Sequence, residues 1–524
     1  MSGSKVRVGV GASVKSTFKS LGGGARLGAA LIATTVVILI PSVASAAWTR
    51  AESDRFVVHG EGDPRAIRDY AVKLTIYDEV LRLLFPPPKG VPAPQKVDVY
   101  LVRGHEGLSR VWPSVPQAVG GFYEALPSGI FAVAETGAVG LKPNTVLFHE
   151  YAHHFMKENF PAAYPAWFVE GWAEYVSTID IKPSGIIVGA GEEGRVAWLN
   201  YGDWTPLRQL LTDRPLQGQW EEQAHFYPES WALVHYMEDT PERRAQLHMA
   251  LQAIASGADP VKAVESATGL SMADLTHRLQ TYGTMMELRV KTSAVDMAPK
   301  VEVSTLPPSA DDLLLDKVRL EMPLPVKRDD RFLAEVRRLA AKYPGDRLAD
   351  LVLARVEFAY GDAAAGQAIV DRRLASDPND ADFLRVKGES LLLAGNRDEA
   401  HRLEKFRAAR APLIKAYGLE KDDFRILYDY VESRSVEPDY PDDNDLNALL
   451  AANSLAPAVA DISVSIGEVL IRKGRRPEAN AVLAVVAKDP HGGSLGVRAR
   501  ALIAGKSEAD AKKAAELAEK SHKD

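Results

Sequence analysis

Apolar residues recur at helical spacing in the first long segment of the chain, between Asp63 and Phe85. Most successive apolar positions lie three or four residues apart, so they share one face of a helix. These positions are Ala66, Tyr70, Leu74, Tyr77, Val80, Leu81 and Leu84. The run Pro86-Pro87-Pro88 follows, and proline breaks a helix. The pattern therefore predicts one helix over residues 63–85.

Short runs on both sides of this helix have the pattern of strands. Residues 55–59 are one such run, and residues 96–102 alternate between apolar and polar positions. Residues 120–133 are typical of two strands joined by a turn at 126–129. These runs predict a sheet in the first half of the chain.

Helical patterns dominate the residues that follow. Asn144-Thr145 can cap a helix that ends before Pro161, and a second helix is predicted over 165–178. Further helical patterns fill residues 205–292. Strands early in a segment and helices later are typical of an α+β domain, which we place at residues 47–298.

A polar segment with several prolines, residues 299–312, is predicted to be a linker between domains. Residues 313–524 are rich in alanine and leucine, and their pattern predicts helices almost throughout. The acidic stretch 437–445 is expected to be a loop, and the end of the chain, 506–524, a helical tail.

The helical domain carries an internal period of 34 residues. Tyr343-Pro344-Gly345-Asp346 is followed 34 positions later by Asp377-Pro378-Asn379-Asp380. Two units at 344–411 are clear, and Asp489-Pro490 closes a diverged unit near 457–490. This period resembles that of tetratricopeptide repeats, which implies an all-α domain of stacked helix–turn–helix units.

The first 46 residues match a secretory signal. Five basic and no acidic residues accompany an apolar run from Leu27 to Ile40, and Ala44-Ser45-Ala46 provides a small-residue cleavage site. The alternative is an uncleaved membrane anchor, but a span needs about 20 apolar residues. We therefore predict cleavage near Ala46, export to the periplasm or the extracellular space, and no stable membrane span afterwards.

Composition restricts the chemistry further. The 524 residues include no cysteine, which excludes disulfides, thiolate metal sites and cysteine nucleophiles. With 63 basic and 70 acidic residues the net charge is −7, which argues against nucleic acid as a partner. The 46% of hydrophobic residues is ordinary for a globular protein.

The segment His149-Glu150-Tyr151-Ala152-His153 has the pattern H-E-x-x-H. Residues four apart share a face of a helix, so the two imidazoles can bind one zinc ion with the glutamate beside them. Zinc needs a third protein ligand and one open position for water. Glu170 and Glu174 follow in the segment 167–175, Trp-Phe-Val-Glu-Gly-Trp-Ala-Glu-Tyr.

Together these two segments resemble the gluzincins, the glutamate-ligated zinc peptidases. They are most similar to peptidase MA-like domains, distant relatives of the aminopeptidase N group. The resemblance implies a zincin-like catalytic domain with zinc as its cofactor. It implies Glu150 as the general base and three zinc ligands, which are His149, His153 and Glu170.

The identity of the third ligand has one alternative. Only 16 residues separate His153 from Glu170, slightly fewer than in aminopeptidases, so Glu174 is a rival ligand. If Glu170 binds the metal, Glu174 is expected to hold a ligand histidine through its other ring nitrogen. His154 is expected to be either a polar residue or a support for a ligand, and not a ligand itself, because it lies about 100° around the helix from His153.

A third segment, residues 226–236, is similar to the family element in which a tyrosine opens a helix near the metal. The resemblance implies that Tyr227 donates to the oxyanion formed during hydrolysis, a contribution of about 3–4 kcal/mol to the barrier. His225 and His235 are alternatives as a donor or a substrate contact. The strand after Gly120-Gly121 is implied to hold an extended substrate, or else it is an ordinary strand of the sheet.

The sequence therefore predicts an exported zinc metallopeptidase that hydrolyses peptide bonds in a peptide or protein substrate. The helical repeats are expected to bind the substrate or a protein partner. One alternative is a catalytically inactive zincin-like scaffold that acts as a protein-binding adaptor in the cell envelope. Another is hydrolysis of a non-peptide amide or a cell-wall cross-link, since a fold and a metal site do not fix the substrate.

Overall fold

The computed structural model describes ten stretches of the chain. These are residues 47–88, 95–117, 119–136, 143–182, 184–190, 193–199, 203–212, 220–282, 288–323 and 328–521. The predicted signal segment, residues 1–46, lies outside them.

Nine strands lie in the described residues. They are β1 (Trp48–Glu52), β2 (Phe56–Glu61), β3 (Val97–Arg103), β4 (Gly121–Leu126), β5 (Gly129–Thr136), β6 (Asp180–Lys182), β7 (Gly185–Val188), β8 (Leu288–Val290) and β9 (Glu302–Thr305). Six of them form a mixed sheet in the order β4-β5-β3-β2-β1-β9, and β6-β7-β8 form a small second sheet. In the large sheet β2, β3 and β5 run parallel, and β4 pairs antiparallel with β5 at one edge.

The described residues also contain 22 α-helices. Ten belong to the first part of the chain: α1 (Pro64–Leu84), α2 (Gly104–Val111), α3 (Pro143–Asn159), α4 (Ala166–Ser177), α5 (Glu193–Leu199), α6 (Leu207–Thr212), α7 (Trp220–Glu238), α8 (Pro241–Ala255), α9 (Pro260–Thr268) and α10 (Met272–Gln280). Twelve follow: α11 (Ser309–Arg319), α12 (Asp330–Ala340), α13 (Arg347–Tyr360), α14 (Ala363–Ser376), α15 (Ala381–Arg397), α16 (Arg402–Leu419), α17 (Phe424–Arg434), α18 (Asp443–Leu455), α19 (Ala460–Arg472), α20 (Arg476–Lys488), α21 (Gly493–Ile503) and α22 (Glu508–Ser521).

A mixed-sheet region followed by a helical region confirms the predicted fold class at this coarse level. The helix predicted over 63–85 is α1, and the two helices predicted around the H-E-x-x-H segment are α3 and α4. The hairpin predicted over 120–133 is β4 and β5. No helix among the described residues combines the length and the apolar character that crossing a bilayer requires.

The segment predicted as a linker, residues 299–312, contains secondary structure. Strand β9 pairs antiparallel with β1, Thr305 lying opposite Thr49, and α11 begins at Ser309. All four side chains of β9 are exposed, so the strand is held by backbone pairing at the edge of the sheet. A strand without a buried face leaves no alternation of apolar and polar residues for a sequence pattern to detect.

The 34-residue period corresponds to repeated helix starts. Asp346 caps α13 by accepting a hydrogen bond from the backbone N–H of Ala349, and Asp380 caps α15 in the same way from Phe383. An aspartate at this position satisfies an N–H that the first turn of a helix leaves unpaired. The two capping residues are 34 positions apart, as the sequence period requires.

Helices α17 to α20 of the helical region pack against the mixed-sheet region that precedes it. Buried residues of α17, α18, α19 and α20 belong to the same apolar core as those of α1, α3, α4 and α7. The backbone N–H of Gln95 also donates to the carbonyl of Leu455 over 3.2 Å. This packing brings the turn between α20 and α21 beside α3, the helix that carries the H-E-x-x-H segment.

Candidate metal centre

Helices α3 and α4 supply the donor atoms of the candidate site. His149 and His153 lie one turn apart on α3, and Glu170 lies on α4, which is buried along almost its whole length. Gly171, next to Glu170, lets α4 approach α7 closely, because a side chain there would overlap the backbone carbonyl of Ser230. The close packing of α4 against α7 therefore fixes where Glu170 stands.

Three donor atoms converge in what we call the donor triangle: Nε2 of His149, Nε2 of His153 and Oε2 of Glu170. The two nitrogens are 3.0 Å apart, and Oε2 lies 3.6 Å from His149 and 3.5 Å from His153. Zinc bonds of about 2.0–2.2 Å in a tetrahedron keep neighbouring donors roughly 3.3–3.6 Å apart. The two distances to Oε2 lie in this range and the distance between the nitrogens is slightly shorter, so the triangle is close to the size that one zinc ion requires.

The buried polar atoms of the triangle also fit a cation. The Glu170 side chain is 3% exposed, and its Oε2 has no hydrogen-bond partner among the described residues. A buried carboxylate oxygen without a partner is costly unless a positive charge faces it. Two imidazole nitrogens and a carboxylate oxygen form a donor set typical of zinc.

Glu174 stands outside the triangle. Its Oε1 lies 3.4 Å from Nδ1 of His149, the ring nitrogen that faces away from the other two donors. The structure therefore places Glu170 in the triangle and Glu174 behind His149, the arrangement expected if Glu170 is the third ligand.

A third histidine, which the sequence did not single out, also reaches the site. His491 comes from the turn between α20 and α21, and its Nε2 lies 2.8 Å from Oε1 of Glu170. Its ring packs edge-on against the ring of His153, with centroids 4.7 Å apart. The one signal in the sequence is the position of His491 directly after Asp489-Pro490 at a repeat turn.

The charged side chains of the site shift one another's pKa values. Burial raises the pKa of Glu170, but His153, His491 and His149 outweigh burial and hold this pKa well below its ordinary value. Burial lowers the pKa of His149, and the nearby carboxylates of Glu170 and Glu174 raise it to about 9. For His153 burial dominates, and its pKa falls below the ordinary value. The carboxylate of Glu170 is therefore charged at neutral pH.

The edge strand β4 runs beside α3. Tyr123 of β4 hydrogen-bonds through its hydroxyl to Nδ1 of His154 over 2.7 Å, and Nε2 of His154 lies 3.2 Å from Glu158. His154 therefore links α3 to β4 and, as the sequence predicts, does not join the triangle. Burial and the charge of Glu150 raise the pKa of Glu124, also on β4, to about 7.

Tyr227, His225 and His235 all lie on α7. Tyr227 is half-buried and lies inside this helix, which begins at Trp220, so the prediction that Tyr227 opens the helix is wrong. A sequence pattern misplaces this start because Pro228, which usually marks the first turn of a helix, lies within α7. His225 lies 3.6 Å from Glu229, one turn further along the helix.

His235 has both ring nitrogens engaged in the core. Nε2 lies 2.9 Å from the carbonyl of Gly189, so it donates, and Nδ1 accepts from the hydroxyl of Tyr282 over 3.1 Å. The side chain is buried, and burial lowers its pKa. His235 therefore has no ring nitrogen left for a substrate.

An apolar recess adjoins His153. Its walls come from the end of α3 and the segment after it, including Met156, Phe160 and Tyr164, from Pro457 in the turn between α18 and α19, and from Val486 of α20. The recess therefore lies between the two regions of the chain, next to the donor triangle.

Comparison of the chain with models of known protein families and with curated proteins gave no match.

Proposed function

We propose that this protein is an exported zinc-dependent hydrolase that cleaves peptide bonds. The observation that carries the proposal is the donor triangle of His149, His153 and Glu170, with Glu150 next to His149 on the same helix. An H-E-x-x-H segment paired with a correctly spaced third donor supports a catalytic zinc site of zincin type. Export rests on the signal-like segment at the start of the chain.

The roles that we propose for the side chains rest on the resemblance to the gluzincins. Zinc, when bound, supplies a Lewis acid that acidifies water and polarises a carbonyl group. Glu150 takes a proton from the attacking water and passes it to the leaving amine. Tyr227 donates a hydrogen bond to the developing oxyanion. Its helix α7 packs closely on α4 at Gly171, the residue after Glu170, so Tyr227 lies on a helix that adjoins the one bearing Glu170.

Edge strand β4 supports a peptide as the substrate. In the described sheet β4 pairs with β5 on one side only, and it is linked to α3 through Tyr123 and His154. An extended peptide can add to such an edge by backbone hydrogen bonds. The apolar recess beside His153 is suited to an apolar side chain of that peptide.

The repeated helix starts at Asp346 and Asp380 support a tetratricopeptide-like region after residue 312, which we propose binds the substrate or a protein partner. We keep the zincin-like and the repeat regions as two functional domains. A catalytically inactive adaptor would need neither three converging metal donors nor Glu150 beside them, so the donor triangle favours the enzyme.

The test combines zinc content with peptide hydrolysis. We expect one zinc per chain, and cleavage of members of a diverse peptide mixture detected by mass spectrometry. Glu150→Gln is expected to retain zinc and to lose activity by about 10²–10⁴-fold, the usual contribution of a general base. Glu106→Gln, at an exposed position on α2, is the matched control and should retain both.

Three results would oppose the proposal in different ways. If the purified protein contains no zinc, the proposed metal centre is wrong. If Glu150→Gln keeps full activity, Glu150 is not the general base. Bound zinc with no cleavage of any peptide in the mixture favours the adaptor.

A further inference from the structure

His491 connects the helical region to the candidate metal centre. All three atoms of the donor triangle come from α3 and α4, yet the second carboxylate oxygen of Glu170, Oε1, is held by Nε2 of His491 at 2.8 Å. The His491 side chain is 46% exposed, whereas that of Glu170 is 3% exposed. His491 therefore lies at the border between the buried site and the solvent.

The turn that carries His491 is fastened to the metal-bearing helix. Nζ of Lys157 lies 2.8 Å from Oδ2 of Asp489, and Lys157 is one turn beyond His153 on α3. The backbone N–H of His491 donates to Oδ1 of Asp489 over 2.9 Å. Asp489 thus joins Lys157 to the backbone of His491 and limits where the imidazole can lie.

The position of His491 within the repeat is unusual. The equivalent turns have Gly345 after Pro344 and Asn379 after Pro378, residue types that tight turns favour. The diverged unit has a histidine after Pro490 and continues with Gly492-Gly493, so the glycines follow one position later. A turn that needed only to reverse the chain would not require an imidazole at this place.

We propose that His491 is a positioning residue of the metal centre, supplied by the helical region to hold Glu170 in its metal-binding orientation. The inference rests on the proposed zinc site. A hydrogen bond to Oε1 fixes the rotation of the carboxylate and leaves Oε2 directed at the two imidazoles. Partners that orient a metal ligand in this way typically contribute 10–100-fold in metal affinity. The helical region is then part of the metal site as well as a surface for partners.

The experiment measures zinc affinity of the full chain by competition with a chelator. His491→Ala is expected to weaken zinc binding about 10–100-fold. His491→Gln should restore most of the affinity, because its amide N–H can donate to Oε1 of Glu170. Lys157→Met, which removes the charge that anchors the turn, should weaken binding by a smaller factor. His401→Ala, an exposed histidine elsewhere in the helical region, is the control and should bind zinc as the wild type does.

The outcomes separate this inference from the proposed function. If the wild type binds no zinc, the metal centre itself is wrong. If the wild type binds zinc and His491→Ala binds it equally well, only the inference is wrong. If His491→Ala and His491→Gln lose affinity to the same extent, the imidazole acts as a metal ligand and the positioning role is overturned. The absorption spectrum of the cobalt-substituted protein checks the same point, since a positioning residue leaves the ligand set unchanged in His491→Gln.

Discussion

Oε1 of Glu174 lies 3.4 Å from Nδ1 of His149, on the side of the ring opposite the donor triangle. A metal-bound histidine needs its coordinating nitrogen unprotonated, so the proton belongs on the other nitrogen. A carboxylate beside Nδ1 stabilises that tautomer and orients the ring. In the proposed zinc site, Glu174 therefore prepares Nε2 of His149 as a donor and lies outside the set of ligands.

This relationship predicts the effect of removing the Glu174 carboxylate. Glu174→Ala should lower zinc affinity by about 10–100-fold, because nothing then holds the proton on Nδ1 of His149. Glu174→Gln keeps an acceptor oxygen and should lose less. Chelator competition measures both affinities. Equal affinities in the wild type and Glu174→Ala would show that His149 needs no such support.

The contact between Gly171 and Ser230 predicts a large packing effect. In Gly171→Ala the new Cβ overlaps backbone atoms of α7, and backbone cannot move aside as a flexible side chain can. We expect a loss of about 1–3 kcal/mol in the free energy of unfolding, with a lower zinc affinity because Glu170 is displaced. Denaturant unfolding and chelator competition measure the two effects.

Gly418→Ala is the matched control for this substitution. Gly418 also lies in a helix, α16, but a Cβ added there meets no atom within 4 Å. Its replacement should leave stability unchanged or raise it by up to about 1 kcal/mol. Similar losses in both variants would mean that contact with α7 does not decide the effect at Gly171, because helix propensity alone favours alanine over glycine.

Local patterns predicted much of the fold and of the site. The helix bearing His149 and His153 follows from spacing and capping, and Glu170 from its segment on the next helix. His491 could not be predicted in the same way, because more than 300 residues separate it from Glu170 and only the packing of α17–α20 on the first region brings them together. Strand β9 escaped detection because its side chains are exposed and backbone pairing alone defines it. Patterns report local burial, whereas long-range contacts depend on how complete elements pack.

Asp346 and Asp380 allow a test of the repeat equivalence. Each caps a helix, so Asp346→Ala should lower the free energy of unfolding by about 1 kcal/mol. Asp380→Ala should cost a few tenths of a kcal/mol more, since Asp380 also accepts two hydrogen bonds, at 2.8 Å, from the half-exposed side chain of Arg347. Asparagine at either position keeps the cap and should restore most of the loss. Urea unfolding measures these differences, and no loss in either alanine variant would contradict the role of the caps.

Glu158 gives a prediction of how stability depends on pH. Its side chain is 2% exposed, lies 2.5 Å from Nη2 of Arg55 and 3.2 Å from Nε2 of His154. Burial raises the pKa of Glu158, but His154 and Arg55 outweigh burial and lower it to about 2. A carboxyl with a lowered folded-state pKa stabilises the fold above its unfolded pKa, and this stability is lost as the pH falls towards 2.

The corresponding experiment compares Glu158→Gln with the wild type across pH. A pKa lowered from an ordinary value near 4.5 to about 2 corresponds to roughly 3 kcal/mol at neutral pH, which is the expected loss in the variant. The difference between the two proteins should shrink steadily between pH values of about 5 and 2, because the wild-type carboxyl becomes protonated there. Denaturant unfolding at several pH values measures it, with Glu404→Gln as an exposed control that should show no such trend. If the difference in unfolding free energy between the two proteins stays constant down to pH values of about 2, Glu158 stabilises the fold by its packing and not by its charge.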